Sequence, residues 1–447
     1  SRPRPPGKTS LGEVGSALNP PPLASIQMSS ADGIDAIAMA CSDGSCTFRP
    51  MHFKRRALGD FDVQMEMKYC GVCHSDLHIA KGDLGGMYPC VPGHELAGVC
   101  VAVGAKVTKF KKGDHVGVGC IVDSCRECKN CKKGDEQYCY GGMTGTYNGI
   151  NKYGRASLGK GFEGMHTFGG YTSQMVIHEE YAIKIPESYP LEKAGPLMCA
   201  AITMYDPLKY FGAGPGVRVG IMGLGGLGMM GVRLAKALGA EVTVISRSDT
   251  KREMATKQLG ADHFVAHLDE VQMKKAAGSL DLILNTVSAD HDINVFLKLL
   301  DKSGMFVPLG LLNNPHAIGQ LPLMFERKGV QGSLIGGIKA TQECMDLCAK
   351  NKIYPEIKVV PVDALPEVYS SLDAGNDAVV RYVLDIAGSL NEDTFTRCAN
   401  LASPTLDKNV PSKTVTMLKA HAKPLAALGI GVTVGAVLAG ALLRGSR

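Results

Sequence analysis

The sequence predicts an α/β protein of two domains, a β-rich metal-binding one and a doubly wound parallel sheet. Three stretches carry that expectation. Tyr69–Glu95 (YCGVCHSDLHIAKGDLGGMYPCVPGHE) crowds Cys70, Cys73, His74, His78, Cys90 and His94 together with Asp76, Asp83 and Glu95. These are the ligand types that zinc prefers. A second cluster, Cys125, Cys128, Cys131 and Cys139, follows it. Further on, the apolar run Val217–Met222 enters Gly223-x-Gly225-x-x-Gly228 and then an amphipathic stretch of helical period. In that strand–turn–helix setting a glycine triplet signals a bound dinucleotide.

The chain has 447 residues, too many for one ordinary core. With 45% hydrophobic and 20% charged residues it reads as globular. A net charge of +5 without a basic stripe argues against nucleic acid as a partner. Fifteen cysteines without a secretory signal point to a reducing, cytoplasmic setting, where clustered thiols mean metal or redox chemistry.

Residues 1–33 are rich in Pro, Ser and Gly and lack apolar periodicity, so a disordered leader is expected. A cleaved transit segment is the alternative, since Arg2, Arg4 and Lys8 face only Glu13 and Asp32. Residues 34–199 read as the first part of the metal-binding domain. IDAIAMAC, CTFRPMHFKRRAL and DVQMEMKYC are strand-like, and LAGVCVAVGAKVTKFKKGDHVGVG breaks into short Val-rich segments between glycines. Glycine-marked turns on either side of a short helical run bring Cys73 and His94 together. Within 120–140, four thiolates at the observed spacing close around one tetrahedral zinc with no open position. A ferredoxin-type cluster is disfavoured by the seven-residue spacer before Cys139 and by Tyr140 after it.

The Gly-rich segment 141–170 reads either as a flap over a site or as a surface insertion. PLEKAGPLMCAAITMYDPLKYF is one apolar run of helical length, and it contains Cys199.

Residues 200–337 form the expected cofactor domain. Gly223, Leu224, Gly225, Gly226, Leu227 and Gly228 make the turn that lets the backbone and a helix N-terminus approach a pyrophosphate. The second strand, Glu241–Ser246, ends without an acid. Ser246, Arg247 and Ser248 follow, then Lys251 and Arg252, with Asp249 the nearest carboxylate. A basic residue there favours a 2′-phosphate, so NADP(H) is expected over NAD. DLILNTV, GMFVPLG and GVQGSLIGG are further strands, and DINVFLKLLDKS reads as a helix between them. Residues 338–388 carry a helix and strands that return to the first domain.

Residues 389–424 read as a polar linker. Leu425–Leu443 is 19 residues without a charge, flanked by Lys419, Lys423, Arg444 and Arg447. As a helix it would be about 28 Å long and apolar on every face, the length of a bilayer span. A C-terminal transmembrane tail anchor on an organelle membrane is expected, with cytoplasmic catalytic domains. A buried or low-complexity tail is the competing reading, because abundant Ala and Gly weaken the hydropathy signal.

GVCHSDLH, GHELAG, the four-cysteine cluster and GLGGLG occur in that order. Together they resemble the zinc-dependent medium-chain alcohol dehydrogenases, and within them the cinnamyl alcohol dehydrogenase group of NADP-dependent aldehyde reductases. The resemblance spans Ile34 to Ile386. It implies a GroES-like catalytic domain and a Rossmann domain, two Zn2+ per chain, NADP(H), and a homodimer that interconverts aldehydes and primary alcohols. It further implies Cys73, His94 and Cys199 as catalytic zinc ligands, with Cys199 brought in by PLMCAAIT alone and Glu95 as a conditional ligand. Ser75 would relay the alcohol proton, with His78 the next station. Thr203, Ser246, Lys251 and Ser333 would contact NADP(H).

One departure bears on substrate. Where plant relatives carry the aromatic residue that shapes the cinnamyl pocket, this chain has Thr144 thereabouts and no Trp at all. A broad aldehyde reductase is therefore expected. CGVCH also matches a haem attachment pattern, but the surrounding zinc motifs outweigh it. Cys70, Cys90, Cys100 and Cys120 read as small buried apolar residues. An NAD-dependent alcohol dehydrogenase and a non-catalytic NADP-binding scaffold or redox sensor remain as alternatives.

Overall fold

The computed structural model describes residues 33–159, 161, 164–310, 317–375 and 380–406. The expected leader up to residue 32, the distal part of the linker and the apolar segment 425–443 lie outside the described residues. Among the described residues no helix is long and apolar enough to cross a membrane.

The metal-binding motifs hang on a seven-stranded sheet. Its order is Ile357–Val360, Arg381–Asp385, Asp62–Gly71, Leu96–Val103, His115–Val118, Ile183–Ile185, with Gln174–His178 pairing off Asp62–Gly71. Alternation explains the central strand: Val63, Met65 and Met67 are buried while Gln64, Glu66 and Lys68 between them are less so. Arg381–Asp385 lies antiparallel to that strand through Val383↔Gly71 and Leu384↔Cys70, so the end of the described chain returns to its beginning. Ile34–Cys41 and Phe48–Arg55 make a separate antiparallel hairpin, paired from Ile34↔Arg55 to Cys41↔Phe48.

The second sheet has six parallel strands in the order His263–Ala266, Glu241–Ser246, Arg218–Met222, Leu280–Asn285, Leu300–Pro308, Gly329–Val330. Val219, Ile221, Val242, Val244, Ile283 and Leu284 are all fully buried, as a parallel sheet covered on both faces requires. The strand order reverses at Arg218–Met222, which is where an open α/β sheet leaves a crevice for a ligand.

Four sequence expectations are corrected. The run around Cys199 is not one helix. It forms a helix at Leu191–Ala194, a 3-10 turn at Gly195–Met198, and a new helix at Ala200–Tyr210, with Cys199 (φ −130°, ψ −68°) as the break. Gly195 passes so close to the Glu95 carbonyl that a Cβ there would overlap it, and Pro196 has no N–H for a continuous ladder. DINVFLKLLDKS is helical only over Ile293–Leu297, because Leu299 and Leu300 are drawn fully into the core as the next strand begins. In GVQGSLIGG only Gly329–Val330 joins the sheet.

The linker reading also fails over 389–406. Asp393–Arg397 is a helix, and Thr394 and Cys398 are fully buried. The Phe395 ring stacks on His52 at 4.3 Å, and Arg397 bonds Asp363 at 2.8 Å. Cys398 and Leu401 pack into the first domain's core, while Phe395 lies half-buried over His52.

Candidate active site

The site begins where the strand Asp62–Gly71 ends. Cys73 caps the short helix His74–Ala80, and its N–H donates to Asp76 Oδ2 at 2.8 Å. Asp76 is fully buried and its Oδ1 accepts two more bonds, from the Gly93 N–H and from His94 Nδ1, both at 3.0 Å. One carboxylate thus ties the Cys73 turn to the His94 turn and fixes the imidazole so that Nε2 points away from it. Gly93 has φ +104°, and a Cβ there would stand 2.8 Å from Cys70 Sγ, so this turn admits only glycine.

The helix break supplies Cys199 from the other side. His94 Nε2 lies 3.3 Å from Cys199 Sγ, and Cys73 Sγ lies 3.9 Å from it. The donor atoms of Cys73, His94, Glu95 and Cys199 all fall within 4.8 Å of one another, and all four residues are buried. Both carboxylate oxygens of Glu95 are buried without a hydrogen-bond partner. Burial pushes Glu95 up to about 7, against the pull of Arg381, whose Nη2 is 3.5 Å away. The Cys199 thiol bonded to Cys73, with Arg381 and His94 nearby, holds Cys73 well below the usual thiol range. Two adjoining thiols, an aimed imidazole and an under-satisfied carboxylate make a donor set that a cation completes.

Asp76 and Arg381 were not among the expected site residues. Asp76 is signalled weakly, as an acid three positions after a helix cap. Arg381 arrives through strand pairing and has no local signal. Tyr147, from the Gly-rich segment, stacks on His94 at 5.6 Å and 21°, so that segment borders the site at its start. Cys70, Cys90 and Cys100 are buried as expected, whereas Cys120 is only half-buried and its thiol donates to the Met198 carbonyl at 3.8 Å. Ser75 is exposed, with Oγ 3.7 Å from Cys73 Sγ. His78 stands at the surface, its Nδ1 3.2 Å from Asp83 Oδ2.

Cys125, Cys128, Cys131 and Cys139 also bring their sulfurs within 4.8 Å of one another. Backbone N–H groups point at three of them: Cys128 N at Cys125 Sγ (3.3 Å), Cys131 N at Cys128 Sγ (3.5 Å) and Cys125 N at Cys139 Sγ (3.4 Å). The N–H groups of Cys131 and Tyr140 hold Cys128 down to about 6, while burial pushes Cys131 up to about 12. Four sulfurs gathered this closely, three of them accepting backbone N–H groups, fit a shared cation.

At the sheet's switch point Gly223 has φ +89°, and a Cβ on Gly228 would overlap the Gly223 carbonyl oxygen. Leu224 is buried, Gly225 caps the helix Gly226–Ala237, and Leu227 is half-buried. Lys251 Nζ donates to the Leu224 carbonyl at 2.9 Å, which joins the glycine turn to the end of the second strand. There Ser246 is half-buried while Arg247 and Ser248 are exposed. Arg252 Nε bonds Asp249 at 2.8 Å and offsets the nearest acid. The hydroxyls of Thr203 and Ser333 are turned onto the chain itself, onto the Cys199 carbonyl (2.7 Å) and Asp206 Oδ2 (3.4 Å).

Two family models match the chain: the alcohol dehydrogenase GroES-like domain over residues 59–187, and zinc-binding dehydrogenase over residues 226–350. NADP-dependent alcohol dehydrogenase C 1 of Mycolicibacterium smegmatis is 49% identical over 335 residues, which is 74% of this chain and 93% of that protein. The chain belongs to the zinc-binding alcohol dehydrogenase family. An 8-hydroxygeraniol dehydrogenase of Catharanthus roseus is 45% identical over 80% of this chain and 96% of its own length. Among solved structures, a cinnamyl alcohol dehydrogenase of Sorghum bicolor is similar at a TM-score of 0.73 and 41% identity. That match covers 80% of this chain and 99% of the sorghum one. The GroES-like and Rossmann-type α/β architecture expected from the sequence is therefore that of this zinc-binding family.

Proposed function

We propose that this chain is a broad-specificity aldehyde reductase, working with the zinc and NADP(H) of its family. Its class, an NADP(H)- and zinc-dependent oxidoreductase of alcohols and aldehydes, follows from family membership. The observation that carries the reading is the buried set of Cys73, His94 and Cys199, with Glu95 behind it. Bound zinc supplies Lewis acidity toward a carbonyl or hydroxyl oxygen, and the nicotinamide carries the hydride.

The chain's own residues do the rest. Cys73, His94 and Cys199 hold the metal, and Asp76 keeps His94 in the tautomer that offers Nε2. Glu95 supplies a reserve carboxylate, and the Arg381 charge restrains it from competing with substrate. Ser75, exposed beside Cys73, takes or returns the proton of the alcohol oxygen, and His78 passes it to solvent. The turn Gly223–Gly228 receives the pyrophosphate. Ser246, Arg247, Ser248 and Lys251 hold the 2′-phosphate, with Thr203 and Ser333 as further cofactor contacts. Cys125, Cys128, Cys131 and Cys139 hold a second, structural zinc. Residues 34–199 and 338–388 form the catalytic domain, and 200–337 the cofactor domain.

Breadth of substrate is supported by the chain's lack of Trp and by Thr144, small and fully buried, standing thereabouts where the resemblance calls for an aromatic wall. The test is a panel of aliphatic and aromatic aldehydes assayed with NADPH and with NADH. NADPH-dependent reduction of several members is expected. A single strongly preferred aldehyde, or a higher kcat/KM with NADH, would refute the reading.

A homodimer is supported by Leu321, Met324 and Phe325, which are exposed by 65, 72 and 81% beside the edge strand Gly329–Val330. Phe325→Glu should then yield monomers by light scattering. The charge-free segment Leu425–Leu443 supports a tail anchor that leaves the catalytic domains in the cytoplasm. Carbonate extraction should leave the full chain in the membrane pellet, and its release would sink the anchor.

A further inference from the structure

We propose that Ser124 and Tyr181 form a buried hydroxyl relay that positions the Cys131 thiolate and slows metal release from the four-cysteine lobe. The inference rests on that lobe holding zinc and is independent of the catalytic reading. Ser124 Oγ lies 3.3 Å from Cys131 Sγ and 2.9 Å from the Tyr181 hydroxyl. Ser124 is fully buried and Tyr181 is 1% exposed, so water does not compete for these groups.

The protons can be assigned. A metal-bound thiolate has no proton and accepts only, so Ser124 donates its single O–H to Cys131. Its oxygen is then the acceptor for Tyr181, whose phenol has no other role in the chain of three. Ser124 cannot swing away, because its backbone is held on both sides. Its N–H donates to Asp123 Oδ1 at 2.9 Å, and its carbonyl accepts from Arg155 Nη2 at 2.7 Å. Arg155 Nε closes the frame by donating to Asp123 Oδ1 at 2.9 Å.

Cys139 provides the contrast. Its neighbour Tyr153 stands 3.7 Å away but spends its proton on the Gly142 carbonyl at 2.7 Å. A hydroxyl relay with its proton free for the sulfur is thus a property of Cys131. Tyr181 comes from the turn Glu179–Tyr181, beyond the Gly-rich segment, so the relay also pins the lobe to the main sheet.

Loss of such an outer partner lowers metal affinity by about 10–100-fold. The test uses full-length, zinc-loaded protein and the variants Ser124→Ala, Tyr181→Phe and Ser124→Thr. Zinc is counted by elemental analysis, its release to a chromogenic chelator is timed, and the sulfur-to-metal absorption band is recorded after cobalt substitution. One of two zincs should leave about 10–100-fold faster from Ser124→Ala and Tyr181→Phe. The band should move to lower energy in both, and Ser124→Thr, which keeps the hydroxyl, should behave as wild type. Tyr181→Phe keeps the ring and decides the matter if Ser124→Ala does not fold. Unchanged release and an unmoved band overturn the relay. Wild-type protein whose zinc count is the same as that of Cys128→Ser overturns the four-thiolate site itself, and the relay with it.

Discussion

Asp76→Asn is a sharp probe of how the site is held. The substitution is almost isosteric, so it tests charge and hydrogen bonding without opening a cavity. In the native chain Oδ1 accepts from Gly93 N and His94 Nδ1, and Oδ2 accepts from Cys73 N. An asparagine that keeps its oxygen toward Gly93 and His94 turns its NH2 toward the Cys73 N–H. Two buried donors then face each other unpaired, each costing about 1–3 kcal/mol, for a loss of about 2–6 kcal/mol. The imidazole also loses a charged partner, which should weaken zinc binding by about 10–100-fold. Denaturant unfolding and chelator competition measure the two effects separately. An asparagine variant with native stability and zinc affinity within twofold of wild type would refute the role given to this carboxylate.

Cys73→Ser should abolish turnover and lower the zinc count from two per chain to one, by elemental analysis, while the four-cysteine lobe stays loaded. Arg247→Glu combined with Lys251→Glu should cut kcat/KM for NADPH by about 100–10,000-fold and spare NADH, since each of the two lost phosphate contacts removes about 1.5–3 kcal/mol of charged hydrogen bonding. Equal losses with both cofactors would show that Lys251 matters only through its bond to Leu224. Burial, with Asp135 nearby, raises Asp206 to about 6 from 3.8. A carboxyl raised on folding costs stability as pH climbs through that window, and costs nothing below it. Asp206→Asn should therefore stabilise the protein by about 1–2 kcal/mol at pH 8, after allowance for partial exposure, and leave it unchanged at about pH 3. Phe395→Ala should cost about 1–3 kcal/mol in the same assay, because it removes a ring that packs against His52.

Short-range spacing was enough for much of this protein. The four-cysteine lobe was legible because its ligands lie within fifteen residues and need only local turns. The cofactor turn was legible because a strand, three glycines and a helix follow directly on one another. The alternating strand Asp62–Gly71 was legible because burial on one face over Val63–Lys68 leaves a period of two.

What crossed the chain was not. Cys199 lies 105 residues from His94, and only a resemblance named it. The helix break that aims its sulfur comes from the close approach of Gly195 to Glu95, which no local pattern announces. Arg381 reaches Glu95 only because its strand pairs with Asp62–Gly71. Residues 389–406 looked polar enough for a linker, yet Cys398, Leu401 and Leu406 pack on the core and Thr394 is fully buried.

By itself the sequence determined which side chains can bind metal and phosphate, because ligand chemistry and glycine conformational freedom are properties of single residues and short spacings. The tertiary structure alone decided which of them meet, because sheet pairing and a broken helix bring remote atoms within 4.8 Å. It also decided that Asp76 holds the Cys73 and His94 turns together, because a buried carboxylate must be satisfied by whatever donors the fold places around it.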